Sequence, residues 1–139
     1  MPYGTDDDAR RVLETAHTWA VVGLGPSGGR TAHGVAGWLQ RQGKRIVPVH
    51  PAGGQVLGEQ IYPTLADVPF PIDVVDVFRR SDKAGEHVDE AITIGAPAVW
   101  LQLGVVDRAA AQRAEEAGLT VLMDRCPHID GPRLLGWPP

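Results

Sequence analysis

Residues 19–30 read WAVVGLGPSGGR, an apolar run that passes directly into a glycine-rich turn. The run has the length and the valine content of a buried β-strand. Within the turn, Gly23, Gly25 and Gly28 match the spacing G-x-G-x-x-G. Glycines in such a turn let the backbone approach an anion, and the following helix presents free N–H groups at its N-terminus. The stretch therefore predicts a strand–turn–helix unit that binds the phosphates of a nucleotide-type ligand.

Four further apolar runs of strand length follow the first one. They cover residues 45–49, 73–78, 98–103 and 120–124. Their nearly continuous, valine-rich character is typical of strands that are covered on both faces of a parallel sheet. Helical segments alternate with the strands, and the last three of them each end before a glycine that can act as a C-cap. The helical segments cover residues 6–16, 32–42, 82–94 and 107–117. Thr5, with Asp8 three residues on, is the candidate N-cap of the first segment, and Asp107 is that of the last.

The interval between the second and third strand runs differs from the others. Residues 51–73 are broken by proline and glycine and leave room only for a short helical turn near Leu65 to Val68. Strands that alternate with helices, with no hairpin signal between them, indicate right-handed βαβ units. We therefore predict a single Rossmann-like α/β domain over residues 1–139. Its doubly wound parallel sheet has about five strands in the order 3-2-1-4-5 and forms the middle of three layers.

Composition and charge narrow the class of partner. The 139 residues carry a formal net charge of -4, whereas binding to the phosphate backbone of nucleic acid normally needs a basic surface. No stretch approaches the roughly 18 uninterrupted apolar residues of a membrane span. The first residues contain no apolar core of a secretion signal, and the single cysteine, Cys126, excludes an internal disulfide. We expect a cytoplasmic protein that binds neither nucleic acid nor a membrane.

Ligands of doubly wound sheets bind beyond the carboxyl ends of the strands, at the point where the strand order reverses. In this chain those ends carry glycines, hydroxyl groups and arginines. The predicted binding residues, taken strand by strand, are Gly23, Leu24, Gly25, Pro26, Ser27, Arg30 and Thr31; Val49, His50 and Pro51; Phe78, Arg79 and Arg80; Gln102, Leu103 and Gly104; and Cys126. Because Arg30, Arg79, Arg80 and Arg125 fall at one edge of an acidic chain, we expect a polyanionic ligand.

The second strand argues against NAD as that ligand. NAD-binding sheets place a carboxylate near the end of this strand, where it holds the ribose hydroxyls. Here the strand ends with Val49, His50 and Pro51, and the nearest acid, Glu59, follows a glycine-rich loop. NADP stays open as an alternative, because an arginine can hold its 2′-phosphate.

Several motifs occur in a fixed order along the chain. They are VVGLGPS, RIVPVHP, VLGEQIYPTLADVP, VDVFRRS, VWLQLGV and VLMDRC. Over about residues 8–135 this succession resembles the small stand-alone CoA-binding-domain proteins, which are similar to the N-terminal CoA-binding domain of the succinyl-CoA synthetase α subunit. The resemblance implies a domain that holds coenzyme A (CoA) or an acyl-CoA across the strand ends, with no established reaction.

The same resemblance implies roles for individual positions. The turn at residues 23–27 would face the diphosphate of CoA or the groups next to it, and Pro48 to Pro51 would line the loop after the second strand. Phe78 and Arg79 would lie near the adenosine, and Gln102 to Gly104 would form the far wall.

Three departures from the family pattern lie close to the predicted site. Family members commonly have asparagine where this chain has His50, and serine where it has Gly25. They also have a longer, often basic loop where this chain has residues 52–54. The loss of a basic residue there removes one candidate partner for the 3′-phosphate of CoA.

No residue set predicts catalysis or metal binding. A nucleophile needs a partnered base and an orienting acid, and the run from Asp124 to Asp130 matches no established zinc spacing. Cys126 is open to two interpretations, a reactive thiol beside Arg125 or a packed core residue. The leading hypothesis is a non-catalytic CoA or acyl-CoA binder with a carrier, sensor or accessory role, either as a homo-oligomer or with an acyl-CoA enzyme as its partner. The alternatives are an NADP-dependent oxidoreductase, an acyl-CoA ligase component, or an interaction module that has lost its ligand.

Overall fold

The computed structural model describes residues 3–27 and 30–139. Helices and strands alternate along almost all of this chain. In chain order they are α1 (Asp6–Thr15), β1 (Thr18–Val22), α2 (Arg30–Arg41), β2 (Arg45–Val49), β3 (Gln55–Val56), β4 (Glu59–Gln60), a 3-10 helix (Leu65–Asp67), β5 (Val74–Val77), α3 (Ser81–Ile94), β6 (Ala98–Gln102), α4 (Arg108–Glu116), β7 (Thr120–Arg125) and α5 (Pro127–Leu135). Gly28, the third glycine of the predicted phosphate motif, lies outside the described residues.

The centre of the molecule is a parallel sheet in the order β2-β1-β5-β6-β7. Helices α1, α2 and α5 pack on one face of this sheet, and α3 and α4 pack on the other. The inner strands β1, β5 and β6 are buried at every position, because both of their faces are covered by helices. The predicted Rossmann-like α/β class with three layers is confirmed.

The strand order agrees with the predicted 3-2-1-4-5 pattern, but a different segment takes the third place. Tyr62 forms an isolated parallel bridge with Val49 and so lies on the outer side of β2. The Tyr62 N–H donates to Pro48 O, and the His50 N–H donates to Tyr62 O, both at 3.0 Å. The prediction that residues 73–78 lie beside β2 as the third strand is wrong. These residues form β5, which pairs with β1, and the outer edge of β2 is paired with Tyr62.

Two elements escaped prediction. One is the antiparallel pair of β3 and β4 in the interval after β2. The other is α5, which contains Gly131 and Pro132 and therefore has a poor helical propensity. Its packing on α2 compensates: the His128 ring stacks on Trp38 with the ring centroids 4.8 Å apart. A Cβ on Gly131 would lie 2.5 Å from a ring carbon of Trp38, so glycine is needed for this approach.

The helix ends follow the sequence signals. Thr5 caps α1 in a capping box with Asp8, as predicted. Gly95 ends α3 in the left-handed conformation, and the Asp107 side chain accepts from Ala110 N at 3.0 Å at the start of α4. None of the helices in the described ranges is long and apolar enough to cross a membrane.

Gly23 ends β1 with a φ of +102°, a conformation that favours glycine. Its N–H donates to Val49 O at 2.9 Å. A Cβ at this position would lie 2.5 Å from Phe78 O. A side chain here would therefore push the end of β1 away from the end of β5.

We predict that Gly23→Ala lowers the free energy of unfolding by about 1–3 kcal/mol or more, because both its φ and the nearby carbonyl disfavour a Cβ. Gly34→Ala is the matched control, since Gly34 lies within α2 with open space around its missing side chain. That control should raise stability by about 0.5–1 kcal/mol. Urea unfolding measures both changes, and an unchanged stability of Gly23→Ala would contradict the close approach.

Candidate functional site

A groove runs across the carboxyl ends of the strands and consists of two cavities. The first, the α3-side cavity, lies between the loop after β2 and α3 and has a volume of about 330 Å³. The second, the α5-side cavity, lies between α2, the end of β6 and the start of α5 and has a volume of about 750 Å³. Gly23 and Arg79 line both cavities and so join them. The two volumes fall in the range of roughly 300–1,000 Å³ that is typical of small-molecule sites.

Most of the predicted binding residues lie in the walls of this groove. Val49, His50 and Pro51 line the α3-side cavity. The α5-side cavity is lined by residues from three further strand ends and the start of α2, namely Thr31, Phe78, Arg80, Gln102, Leu103, Gly104 and Cys126. The carboxyl ends of the strands therefore meet at one edge, as the topology requires.

The first turn contributes less to the cavity walls than its sequence suggested. The Leu24 side chain is fully buried in the core, so only its backbone can meet a ligand. Gly25 is buried, and Pro26 and Ser27 are exposed beside the groove without lining either cavity. The predicted role of the Arg30 side chain lies outside the described part of the chain.

Three polar residues of α3 line the α3-side cavity and were not predicted. They are Glu86, His87 and Glu90. Their spacing of three and four residues places them on one helix face, a signal that was present in the sequence. The direction of that face depends on how α3 packs on the sheet, which local sequence does not specify.

His87 has one ring nitrogen bound and the other free. Its Nδ1 lies 2.6 Å from Glu90 Oε1. Its Nε2 is buried and has no hydrogen-bond partner among the described residues, because the Glu86 carboxylate at 3.6 Å is too far for a hydrogen bond. His87 belongs to the wall of the α3-side cavity, but this buried nitrogen is not exposed there.

Two of the three departures from the family pattern, Gly25 and His50, lie next to each other in the structure. A Cβ on Gly25 would lie 2.9 Å from Cδ2 and 3.0 Å from Nε2 of His50. The imidazole thus fills the space in which a serine at position 25 would sit. The Ala52 N–H donates to His50 Nδ1 at 3.0 Å, which is the bond that an asparagine makes in an Asx turn. Since Nδ1 accepts this bond, the neutral ring carries its proton on Nε2.

The arginines that were predicted to form one rim have different roles. Arg79 is half-buried and lines both cavities. Arg80 is exposed, and its Nε lies 3.3 Å from Asp82 Oδ1. The expectation that Arg125 belongs to this rim is wrong, because its guanidinium forms ion pairs with Asp6 and Asp130.

Arg125 holds α1 to α5. Its Nη1 donates to Asp6 Oδ1 at 3.0 Å and to Asp130 Oδ2 at 3.1 Å. Arg133 donates to the same two carboxylates. The guanidiniums of Arg133 and Arg125 hold the pKa of Asp6 well below its usual range by hydrogen bonding to the carboxylate. Because Asp6 lies 119 residues from Arg125 in the chain, the sequence around Arg125 gives no sign of this ion pair.

Two further buried polar groups lie without partners next to the groove. Both carboxyl oxygens of Asp76, in β5, and Oε1 of Gln102, at the end of β6, make no hydrogen bond with the described residues. An unsatisfied buried polar group costs about 1–3 kcal/mol. Burial raises the pKa of Asp76 well above its usual range, because the charged carboxylate would lose its hydration.

Cys126 is buried at the N-cap position of α5 and forms part of the wall of the α5-side cavity. It also belongs to the apolar core cluster under α2. Within residues 3–27 and 30–139, no group of three or more His, Cys, Asp or Glu side chains is arranged to hold a metal ion.

We predict that Gly25→Ser and His50→Asn are strongly coupled. Gly25→Ser alone should destabilise the protein by about 1–3 kcal/mol, because the new Cβ meets the imidazole. The double variant should regain most of that stability, since asparagine is smaller and can keep the bond from Ala52 N. A double-mutant cycle from urea unfolding measures the coupling, and additive effects would show that the two positions are independent.

We predict that Asp76→Asn is more stable than the wild type at neutral pH. The folded-state pKa of Asp76 lies above its ordinary value of 3.8, so the native protein holds a proton that the unfolded chain releases as the pH rises through that value. The free energy of unfolding of the wild type therefore falls from about pH 4 upwards, and that of Asp76→Asn lacks this component. Urea unfolding between pH 3 and 8 should show curves that nearly coincide at the acidic end and then separate. A constant difference between the curves would contradict a protonated Asp76.

The chain is similar to known proteins over most of its length. Residues 17–132 match the model of a family described as the CoA binding domain. The uncharacterized protein YneT of Bacillus subtilis (strain 168) is 37% identical over 119 residues, which are 86% of this chain and 88% of the relative. A hypothetical protein from Pyrococcus horikoshii OT3 is 38% identical and superposes with a TM-score of 0.90, over 98% of this chain and 97% of that chain.

A more distant structure shares the fold. It is the dinucleotide forming acetyl-coenzyme A synthetase 1 of Ca. Korarchaeum cryptofilum in complex with phosphate and ADP, which is 21% identical with a TM-score of 0.73. The match covers 84% of this chain and 28% of that chain. The resemblance noted in the sequence is thus confirmed, and the match over residues 17–132 shows that this chain belongs to the CoA binding domain family.

Proposed function

We propose that this chain binds CoA or an acyl-CoA in the groove at the carboxyl ends of its strands, without catalysing a reaction. The observation that carries the proposal is the pair of cavities joined at Gly23 and Arg79, in a chain of the CoA binding domain family. CoA has a purine at one end, a diphosphate in the middle and a pantetheine arm at the other end. Two unlike cavities with a cation between them match that order of groups.

The α3-side cavity suits the adenine of CoA better than its phosphates. Its walls include the apolar side chains of Val22, Val49 and Pro63, which offer flat contact to a purine. The carboxylates of Glu86 and Glu90 would repel a phosphate, whereas they can accept hydrogen bonds from an exocyclic amine.

The centre of the groove suits the diphosphate. Arg79 supplies a positive charge there, and α2 begins beside it at Arg30. Helix N-termini carry a partial positive charge and free N–H groups that favour phosphate. The Thr31 hydroxyl, in the wall of the α5-side cavity, is a further donor.

The α5-side cavity suits the pantetheine arm and an acyl group. Most of its wall is apolar, with contributions from Phe78, Leu103, Val105 and Ile129. In this proposal Phe78 thus moves from the adenosine, where the resemblance puts it, to the pantetheine arm. Leu103 and Ile129 are 60% and 52% exposed. Large apolar side chains that surround a cavity mouth often mark a binding site, and an alkyl arm would remove part of their surface from water.

The arrangement of reactive groups favours binding without catalysis. The groove contains a histidine with a carboxylate partner, His87 with Glu90, in the α3-side cavity, and a thiol, Cys126, in the α5-side cavity. A base activates a nucleophile only within hydrogen-bond distance, and these groups lie in different cavities. We extend the proposal to a cytoplasmic carrier, sensor or accessory role, with an acyl-CoA enzyme or a second copy as partner.

Isothermal titration calorimetry tests the proposal with CoA, dephospho-CoA, NAD and NADP on one preparation. We expect CoA to bind and NAD to give no heat. Binding of NADP without CoA would overturn the proposal in favour of an oxidoreductase. An absence of binding by all four ligands would favour an interaction module.

Arg79→Ala tests the place of the phosphates. We expect it to weaken CoA and dephospho-CoA by a similar factor of about 10 to 100, which corresponds to one charge-assisted hydrogen bond to the diphosphate. Arg113→Ala is the control, because Arg113 lies on α4 outside the groove and pairs with Asp89. A larger loss for CoA than for dephospho-CoA would assign Arg79 to the 3′-phosphate, and no loss for either would remove it from the site.

A further inference from the structure

Asp76 and Gln102 are buried polar residues on adjacent strands. Asp76 is fully buried in β5, and Gln102 is 3% exposed at the end of β6. Neither the carboxyl oxygens of Asp76 nor Oε1 of Gln102 has a hydrogen-bond partner among the described residues. Folded proteins leave few such atoms unpaired, and each of them calls for a physical reason.

The two side chains are on the same face of the sheet. Val74 in β5 and Trp100 in β6 belong to the core cluster under α1 and α2. Asp76 and Gln102 each follow one of them by two residues, so they point to the same side. Asp76 pairs directly with Trp100 in the register of the two strands. Gln102 is therefore its diagonal neighbour in this parallel pair. A strand spacing of about 4.8 Å and a rise of about 3.3 Å per residue place the two residues roughly 8 Å apart, a gap that an aspartate and a glutamine side chain can bridge together.

Oε1 is the buried, unpaired atom of the Gln102 amide, and with that orientation only a neutral Asp76 satisfies both groups. Oε1 of Gln102 is an acceptor, and an ionised carboxylate is also only an acceptor. A neutral carboxylic acid has an O–H that can donate to Oε1. The apolar surroundings favour the neutral acid, since burial raises the pKa of Asp76. Burial is the cause of this rise, with no contribution from a neighbouring charge among the described residues.

We infer that Asp76 is a positioning residue, whose neutral acid donates a hydrogen bond to Gln102 Oε1 and so holds the Gln102 amide with its Nε2 donor toward the α5-side cavity. Gln102 lines that cavity. The fixed donor recognises a carbonyl oxygen of the ligand, such as an amide oxygen of pantetheine or the thioester oxygen of an acyl-CoA. This inference rests on the proposed function, because it names the group that the same groove recognises.

Infrared difference spectroscopy tests the protonation state without any ligand. The spectrum of the wild type minus that of Asp76→Asn should contain the C=O stretching band of a protonated carboxylic acid at pH 7. Gln102→Leu should shift the position of that band, because it removes the acceptor of the acid. A band of an ionised carboxylate in place of the acid band would overturn the inference.

Calorimetry with CoA and with 3′-phospho-ADP, the nucleotide half of CoA, tests the positioning role. Asp76→Val and Gln102→Leu should each weaken CoA by about three- to tenfold, as expected for one hydrogen bond. The double variant should lose no more than Gln102→Leu alone, because both changes remove the same donor. The affinity for 3′-phospho-ADP, which has no pantetheine arm, should stay unchanged in all three.

Asp76→Asn is the rescue variant, because an asparagine amide can also donate to Gln102 Oε1. It should bind CoA within about twofold of the wild type. Losses that multiply in the double variant, or equal losses for CoA and 3′-phospho-ADP, would overturn the positioning role. If Asp76→Val does not fold, the Asp76→Asn affinities and the infrared band still decide. A wild type that binds no CoA would refute the proposed function, whereas the infrared result would still stand on its own.

Discussion

The close approach of three strand ends at Gly23 is the constraint on which the rest of the molecule depends. The Gly23 N–H reaches the carbonyl of Val49 at the end of β2, and the carbonyl of Phe78, beyond β5, occupies the space of a side chain. The loops after β2 and β5 therefore begin at the two sides of a single residue. This convergence places His50 and Arg79 at the same edge as the start of α2, so that one groove crosses all of them.

Features that depend on neighbouring residues could be predicted from the sequence. Apolar runs between helices with clear caps specified the three-layer parallel sheet, and Thr5, Gly95 and Asp107 end or begin helices as expected. Because parallel strands share one carboxyl edge, the residues that would meet at that edge could also be predicted. The residues that follow β2, β5 and β6 line the groove, whereas most of the turn after β1 does not.

Features that depend on distant partners could not be predicted in this way. The sequence of α5 is unfavourable for a helix, and the stacking of His128 on Trp38 outweighs that cost. Arg125 was assigned to a ligand, because the carboxylate of Asp6 lies at the far end of the chain. Glu86 and Glu90 of α3 were not predicted as site residues. Helical spacing in a sequence indicates which residues share a face, but it does not indicate the direction of that face in the fold. In each case the deciding contact joins residues that are remote in sequence.

The bridge between Val49 and Tyr62 also limits how copies of this protein can associate. β2 is the outermost strand of its side of the sheet, and an open edge of that kind can recruit a strand from another molecule and begin aggregation. Tyr62 already uses the carbonyl of Pro48 and the N–H of His50, and Pro48 itself has no N–H to offer. This edge is closed to strand addition at the end that borders the groove. A second copy of the chain therefore cannot extend the sheet by adding a strand at this end of β2.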